Sequence, residues 1–112
     1  MSGQGVKALF VSAEAAPFAK VGGLADVAGS LPAALRRIGI DARLVIPFYR
    51  DIKNNPPPGL KQGPQGLSVK LYQTQYDFNV KTTVSGGVPV YFIDLSFFFD
   101  REIGRASCRE RV

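Results

Sequence analysis

No histidine occurs among the 112 residues, so chemistry inside this chain proceeds without imidazole. One cysteine, Cys108, excludes an internal disulfide and a cysteine-cluster metal site. No apolar run approaches the roughly 20 residues that cross a bilayer. The apolar run that follows Lys7, Ala8–Ala13, holds six residues before Glu14 interrupts it, too short for the h-region of a secretory signal. A strong charge bias is also missing. The net charge is +5 and the basic residues are scattered, so the sequence gives nucleic-acid binding no support. What remains is 46% hydrophobic and 21% charged, the composition of a soluble globular protein, at a length that fits one small domain.

The last stretch, Glu102-Ile-Gly-Arg-Ala-Ser-Cys-Arg-Glu-Arg-Val112, breaks from what precedes it. It carries five charged residues and neither a helix nor a strand period. One choice of codons for it reads as the adaptor ligated to DNA in short-read sequencing libraries. It is therefore taken as a non-native tail and set aside, and Cys108 with it. Residues 1–101 then hold eleven Lys+Arg against seven Asp+Glu.

The remainder reads as the opening of an α/β domain. Val6–Ala13 is a short, nearly continuous apolar run, which predicts a strand buried on both faces of a parallel sheet. Gly23 to Ile38 turns helical, with Leu24, Val27, Ala28, Leu31, Leu35 and Ile38 on one stripe. Pro32 inside it predicts a kink or a loosened turn near Ala28–Ser30. Arg36 and Arg37 suit the negative end of the helix, and Gly39 suits a left-handed cap. Asp41–Pro47 is a second strand, completing a βαβ unit. Lys53–Gly66, with Pro56, Pro57, Pro58 and Pro64, predicts a mobile surface loop without regular structure. Leu67–Leu71 and Tyr76–Val84 alternate as half-exposed strands, Ser85-Gly86-Gly87 turns, and Val88–Ile93 is a further buried strand. The fold class is thus α/β, a partial Rossmann-like parallel sheet with an antiparallel strand pair. Leu95–Phe99, with three consecutive phenylalanines, calls for a partner surface.

The loop Glu14–Leu24 carries the candidate chemistry. Ligands of open parallel sheets bind beyond the carboxyl ends of the strands. Gly22 and Gly23 permit close backbone approach, the following helix offers free N–H groups, and Lys20 adds a full positive charge. The set suits a phosphate or another anion. It is neither a G-x-G-x-x-G nor a G-x-x-x-x-G-K-[ST] loop. On the residues alone, Lys20 is either a solvated loop lysine, the commoner case, or a ligand contact.

The block Phe10-Val-Ser-Ala-Glu-Ala-Ala-Pro-Phe-Ala-Lys-Val-Gly-Gly-Leu-Ala-Asp-Val-Ala-Gly-Ser-Leu-Pro32 closely resembles the N-terminal signature of bacterial glycogen synthases and plant starch synthases. Lys20–Leu24 matches their Lys-x-Gly-Gly-Leu motif. The likeness continues through Asp41–Tyr49 and returns at Gly87–Asp94 and Phe99-Asp-Arg101. This resemblance implies a retaining glucosyltransferase of the two-domain GT-B type. Such an enzyme moves glucose from ADP-glucose to the non-reducing end of an α-1,4-glucan, without a metal or other cofactor. It further implies that Lys20 reaches the sugar-nucleotide diphosphate and that Gly22 and Gly23 line the same pocket by backbone. Asp26 is either a sugar contact or a carboxylate complementing the helix N-terminus. Glu14 is either an acceptor contact or, the favoured reading, an ordering group for the loop. Asp94 and Phe97–Phe99 are read as structural, and Asp100 and Arg101 receive no role.

The resemblance makes residues 1–101 an incomplete N-terminal domain. The family's catalytic histidine, basic pair and carboxylate lie beyond it, as does the C-terminal domain, so no catalytic residue is expected in this chain. The absence of a plastid-type leader points to a bacterial cytosol, with no membrane or nucleic-acid partner. The alternative is a non-enzymatic flavodoxin-like α/β module that binds a phosphorylated ligand unaided.

Overall fold

A computed structural model describes residues 5–95. Strand β1 (Lys7–Val11) leads through a long loop to helix α1 (Gly23–Arg37) and strand β2 (Asp41–Pro47). A short helix α2 (Arg50–Asn54) and strands β3 (Lys61–Gln62), β4 (Leu67–Leu71), β5 (Thr74–Ser85) and β6 (Val88–Asp94) follow. The sheet order is β1-β2-β6-β5-β3, with β4 also paired to β5. β1, β2 and β6 are parallel, whereas β5 runs antiparallel to β6, β3 and β4. This is the mixed α/β sheet the sequence predicts. None of the described helices is long and apolar enough to cross a membrane.

Alternation decides the core. Ala42, Leu44 and Ile46 of β2 and Val88, Val90 and Phe92 of β6 point to one face and are buried. Phe92 sits at its centre, edge-on to Phe18 at 5.2 Å and tilted against Phe48 at 5.6 Å between ring centroids. Full burial of a side chain this size stabilises by roughly 1.5–3 kcal/mol. The β5–β6 hairpin turns through Gly86 and Gly87, both at positive φ (59° and 83°), between the paired Ser85 and Val88. That is the two-residue turn whose twist matches the strands, and it needs glycine-like residues at both positions.

Helix α1 ends as its sequence predicts. Gly39 has φ 94°, its N–H donates to the Arg36 carbonyl, and the Ile40 N–H donates to the Leu35 carbonyl, a Schellman cap. Arg36 and Arg43 then converge on the Asp41 carboxylate at 2.8 and 3.0 Å, holding it below its usual carboxylate range. Helix end and strand start are thereby tied together.

Three expectations need correction. The buried side of α1 is Ala25, Ala28 and Pro32, while Leu24, Val27, Leu31 and Ile38 of the expected stripe face outward. The cause is close approach: at Gly29 a Cβ would lie 2.5 Å from the Ala16 carbonyl oxygen, so only small residues fit beneath the helix. β1 is not buried on both faces. It lies at the end of the strand order, and Leu9 and Val11 are 61% and 75% exposed. Among the described residues there is no second long helix to cover that face. Finally, Lys53–Gly66 contains regular structure, the end of α2 and all of β3. It is stitched to β5 by the Gly63 N–H on the Val80 carbonyl, the Val80 N–H on the Pro64 carbonyl and the Thr83 hydroxyl on the Pro58 carbonyl. Its prolines remove donors, but its carbonyls still accept. Of the Leu95–Phe99 cluster, only Leu95 lies within the described residues.

The exposed apolar residues of β1 and α1 predict self-association. Residues 1–101, freed of the tail, should elute from size-exclusion chromatography as oligomers, and Leu9→Ser with Val11→Thr should shift them towards monomer. A monomeric parent sequence with a dispersed amide spectrum contradicts this.

Candidate functional site

The loop between β1 and α1 is built by contacts the chain makes with itself. Ala15 and Ala19 form an isolated antiparallel bridge, N–H to carbonyl in both directions at 2.9 and 3.0 Å. Both are buried. The Ala16 N–H donates to the Ala25 carbonyl at 2.9 Å, fastening the bridge to the first turn of α1. From the other side, the Tyr49 hydroxyl donates to the Ala13 carbonyl at 2.9 Å. Burial pushes the Tyr49 hydroxyl pKa up, so the group keeps its proton and stays a donor. Tyr49 follows the carboxyl end of β2. Sequence reasoning placed it in a resemblance block but gave it no role, and its position after Pro47 was the signal for one.

Glu14 organises the second half of the loop. Its Oε1 accepts the Val21 N–H at 2.8 Å and the Gly22 N–H at 2.9 Å. The Ser12 hydroxyl donates to the Glu14 carbonyl at 2.7 Å, setting the backbone at its base. The hydrogen bonds from Gly22 and Val21 hold the Glu14 carboxyl below its ordinary 4.5. Glu14 thus bonds the backbone of its own loop.

Lys20, Gly22, Gly23 and Asp26 come together at the start of α1. Lys20 Nζ lies 2.8 Å from Asp26 Oδ1, with both side chains more than half exposed. Asp26 stands in the first helical turn, yet Gly22 at the N-cap offers no side-chain hydrogen bond. The carboxylate meets the ammonium across the loop–helix junction. The glycines differ in what they are for. Gly29 has no room for a Cβ, but a Cβ on Gly22 or Gly23 would meet nothing within 4 Å, and neither has positive φ. The fold itself does not require glycine there, and the open space stands over the amino end of the helix. All these residues lie on open surface. A cavity of about 690 Å³ between Pro17, Phe18, Ile52 and Pro56–Pro58 does not include them. Asp94 pairs with Lys53 at 3.3 Å, a structural role, while Asp100 and Arg101 lie outside the described residues. No described cluster of His, Cys, Asp and Glu could hold a metal ion.

Two measurements follow from this geometry. In the first, hydrogen exchange of the peptide 15–24 is compared with that of 41–47. Glu14→Ala should speed exchange of the loop about tenfold at neutral pH and leave the strand unchanged. Because the folded pKa is depressed, the contribution of Glu14 is complete above its ordinary 4.5 and is lost as pH falls through the lower folded value. Equal exchange in variant and parent would contradict the ordering role. In the second, Gly29→Ala should destabilise by about 1–3 kcal/mol in denaturant melts through overpacking against Ala16, whereas Gly22→Ala should stay within about 0.5 kcal/mol. Equal losses at both positions would remove the distinction.

A family described as the starch synthase catalytic domain matches residues 7–106. Glycogen synthase 2 of Geobacter sulfurreducens is 39% identical over 97 residues, covering 87% of this chain and 20% of that protein. The glycogen synthase of Photobacterium profundum is 45% identical over 100 residues, covering 86% of this chain and 19% of that protein. In structure, the catalytic domain of starch synthase IV from Arabidopsis thaliana, bound to ADP and acarbose, superposes with a TM-score of 0.74 at 29% identity. That match covers 96% of this chain and 22% of the plant domain. The chain thus spans about one fifth of the length of the curated relatives it matches. With the family match extending over most of the chain, and the Lys-x-Gly-Gly loop at the amino end of its first helix, this chain belongs to the starch synthase catalytic-domain family.

Proposed function

We propose that this chain is the opening segment of a longer glucosyltransferase, here called the parent enzyme, which moves glucose from ADP-glucose to the non-reducing end of an α-1,4-glucan. The observation that carries the reading is the pairing of a loop cation, Lys20, with two glycines the fold does not need, at an uncapped helix N-terminus. The ADP in the related Arabidopsis structure and the glycogen synthase relatives support it. The free-standing phosphate-binding module is not favoured, because the similarity runs through the catalytic-domain family. Residues 1–101 are proposed as the incomplete first domain and 102–112 as a foreign tail, in a bacterial cytosolic enzyme without nucleic-acid or membrane partners.

In the proposed reaction the bond from the glucose anomeric carbon to the diphosphate oxygen breaks. A bond to the acceptor hydroxyl oxygen forms, and the hydroxyl proton leaves. Negative charge grows on the departing diphosphate. The first N–H groups of α1 stand fixed before that charge appears, and Lys20 joins them as the donor binds, so the charges are in place when the bond breaks and lower the barrier. Gly22 and Gly23 admit the diphosphate close to the backbone. Glu14 serves by holding Val21 and Gly22, not by touching the donor. Proton transfer and most nucleotide contacts fall to parts of the parent enzyme beyond this chain, so the chain alone transfers no glucose.

Steady-state kinetics of the parent enzyme test the reading. Lys20→Ala removes a charge-assisted contact of roughly 1.5–3 kcal/mol, which lowers kcat/KM for ADP-glucose about ten- to a hundredfold with the fold intact. Near-parent kinetics in a folded variant would contradict it.

A further inference from the structure

The unassigned feature of the site is the Lys20–Asp26 ion pair. Three charges share the mouth of α1: the Lys20 ammonium, the Asp26 carboxylate 2.8 Å from it, and the Glu14 carboxylate committed to two backbone N–H groups. The Gly22 and Val21 hydrogen bonds dominate the lowered Glu14 pKa, which Asp26 raises and Lys20 lowers to a smaller extent. The two carboxylates offset the ammonium and the positive amino end of α1. The cation that would meet a diphosphate is thus already paired.

The arrangement resolves if the ion pair is a holding state. We infer that Asp26 is a positioning residue that competes with the donor diphosphate for Lys20, so that binding exchanges one ion pair for another and release of the nucleotide product restores the first. This rests on the reading of Lys20 as the diphosphate contact. The geometry suits an exchange. The backbone next to Lys20 is pinned through Val21, so the lysine stem starts from a fixed point, while among the described residues its head is held only by one exposed carboxylate. Asp26 stands in the first turn of a fifteen-residue helix and cannot follow the ammonium far. Exposed pairs are weak and exchange partners readily. A lysine with no partner would search many rotamers, and Asp26 limits that search without closing the site.

A double-mutant cycle on the parent enzyme tests this, with ADP affinity read by calorimetry for the unmodified enzyme, Asp26→Asn, Lys20→Ala and the double variant. Asp26→Ser is measured beside Asp26→Asn as a second removal of the charge. Both positions are exposed, so the fold should survive. If the pair breaks on binding, removing Asp26 tightens ADP binding about two- to fivefold more with Lys20 present than with alanine at that position. Added salt should shrink that difference. Equal effects in the two backgrounds, or weaker ADP binding in Asp26→Asn with Lys20 present, would overturn the inference. A Lys20→Ala variant that binds ADP as tightly as the parent enzyme would instead overturn the assignment of Lys20 to the diphosphate.

Discussion

The Glu14 carboxylate is the constraint on which the site depends. One of its oxygens takes the N–H groups of Val21 and Gly22, seven and eight residues along the chain, and so closes the loop after β1 onto its own base. Without that closure, Lys20 would ride on a free segment and the amino end of α1 would have no fixed neighbour. The carboxylate is suited to the task because it accepts without donating, and because its charge strengthens both bonds. The same bonds hold its pKa low, so the clamp stays charged through the neutral range.

Around that clamp the fold is organised by closeness as much as by apolarity. Gly29 lets the backbone at Ala16 approach the helix, and the Ala16 N–H reaches the Ala25 carbonyl at 2.9 Å. Tyr49 fastens the other end of the loop to the end of β2. Phe18, carried by the Ala15–Ala19 bridge, packs on Phe92 in the middle of β6. Loop, helix and two parallel strands therefore hold one another. The face with Leu9 and Val11 is left open.

Much of this was legible in the amino-acid order. β2, the Gly86-Gly87 turn and the Gly39 cap each follow from local rules: alternation, positive φ and the Schellman pattern. The face of α1 was not legible from periodicity, because Leu24, Val27 and Leu31 outweigh Ala25, Ala28 and Gly29 on any hydrophobic count. What decides the packing is the space beneath the helix, a tertiary quantity. The Pro-rich segment was misread for a related reason. Proline predicts lost donors, while the carbonyls of Pro58 and Pro64 still accept from β5. At the site, the residue types were readable, but the partners were not. Lys20 and Asp26 are six residues apart across a loop–helix junction, and no simple period pairs them.

The proposed function requires this loop to be built in advance to meet a nucleotide diphosphate. A crystal structure of the parent enzyme with ADP tests it most directly. Lys20 Nζ should lie within about 3 Å of a phosphate oxygen, with Glu14 still holding the Val21 and Gly22 N–H groups. A diphosphate bound away from the amino end of α1, with Lys20 still on Asp26, would contradict it.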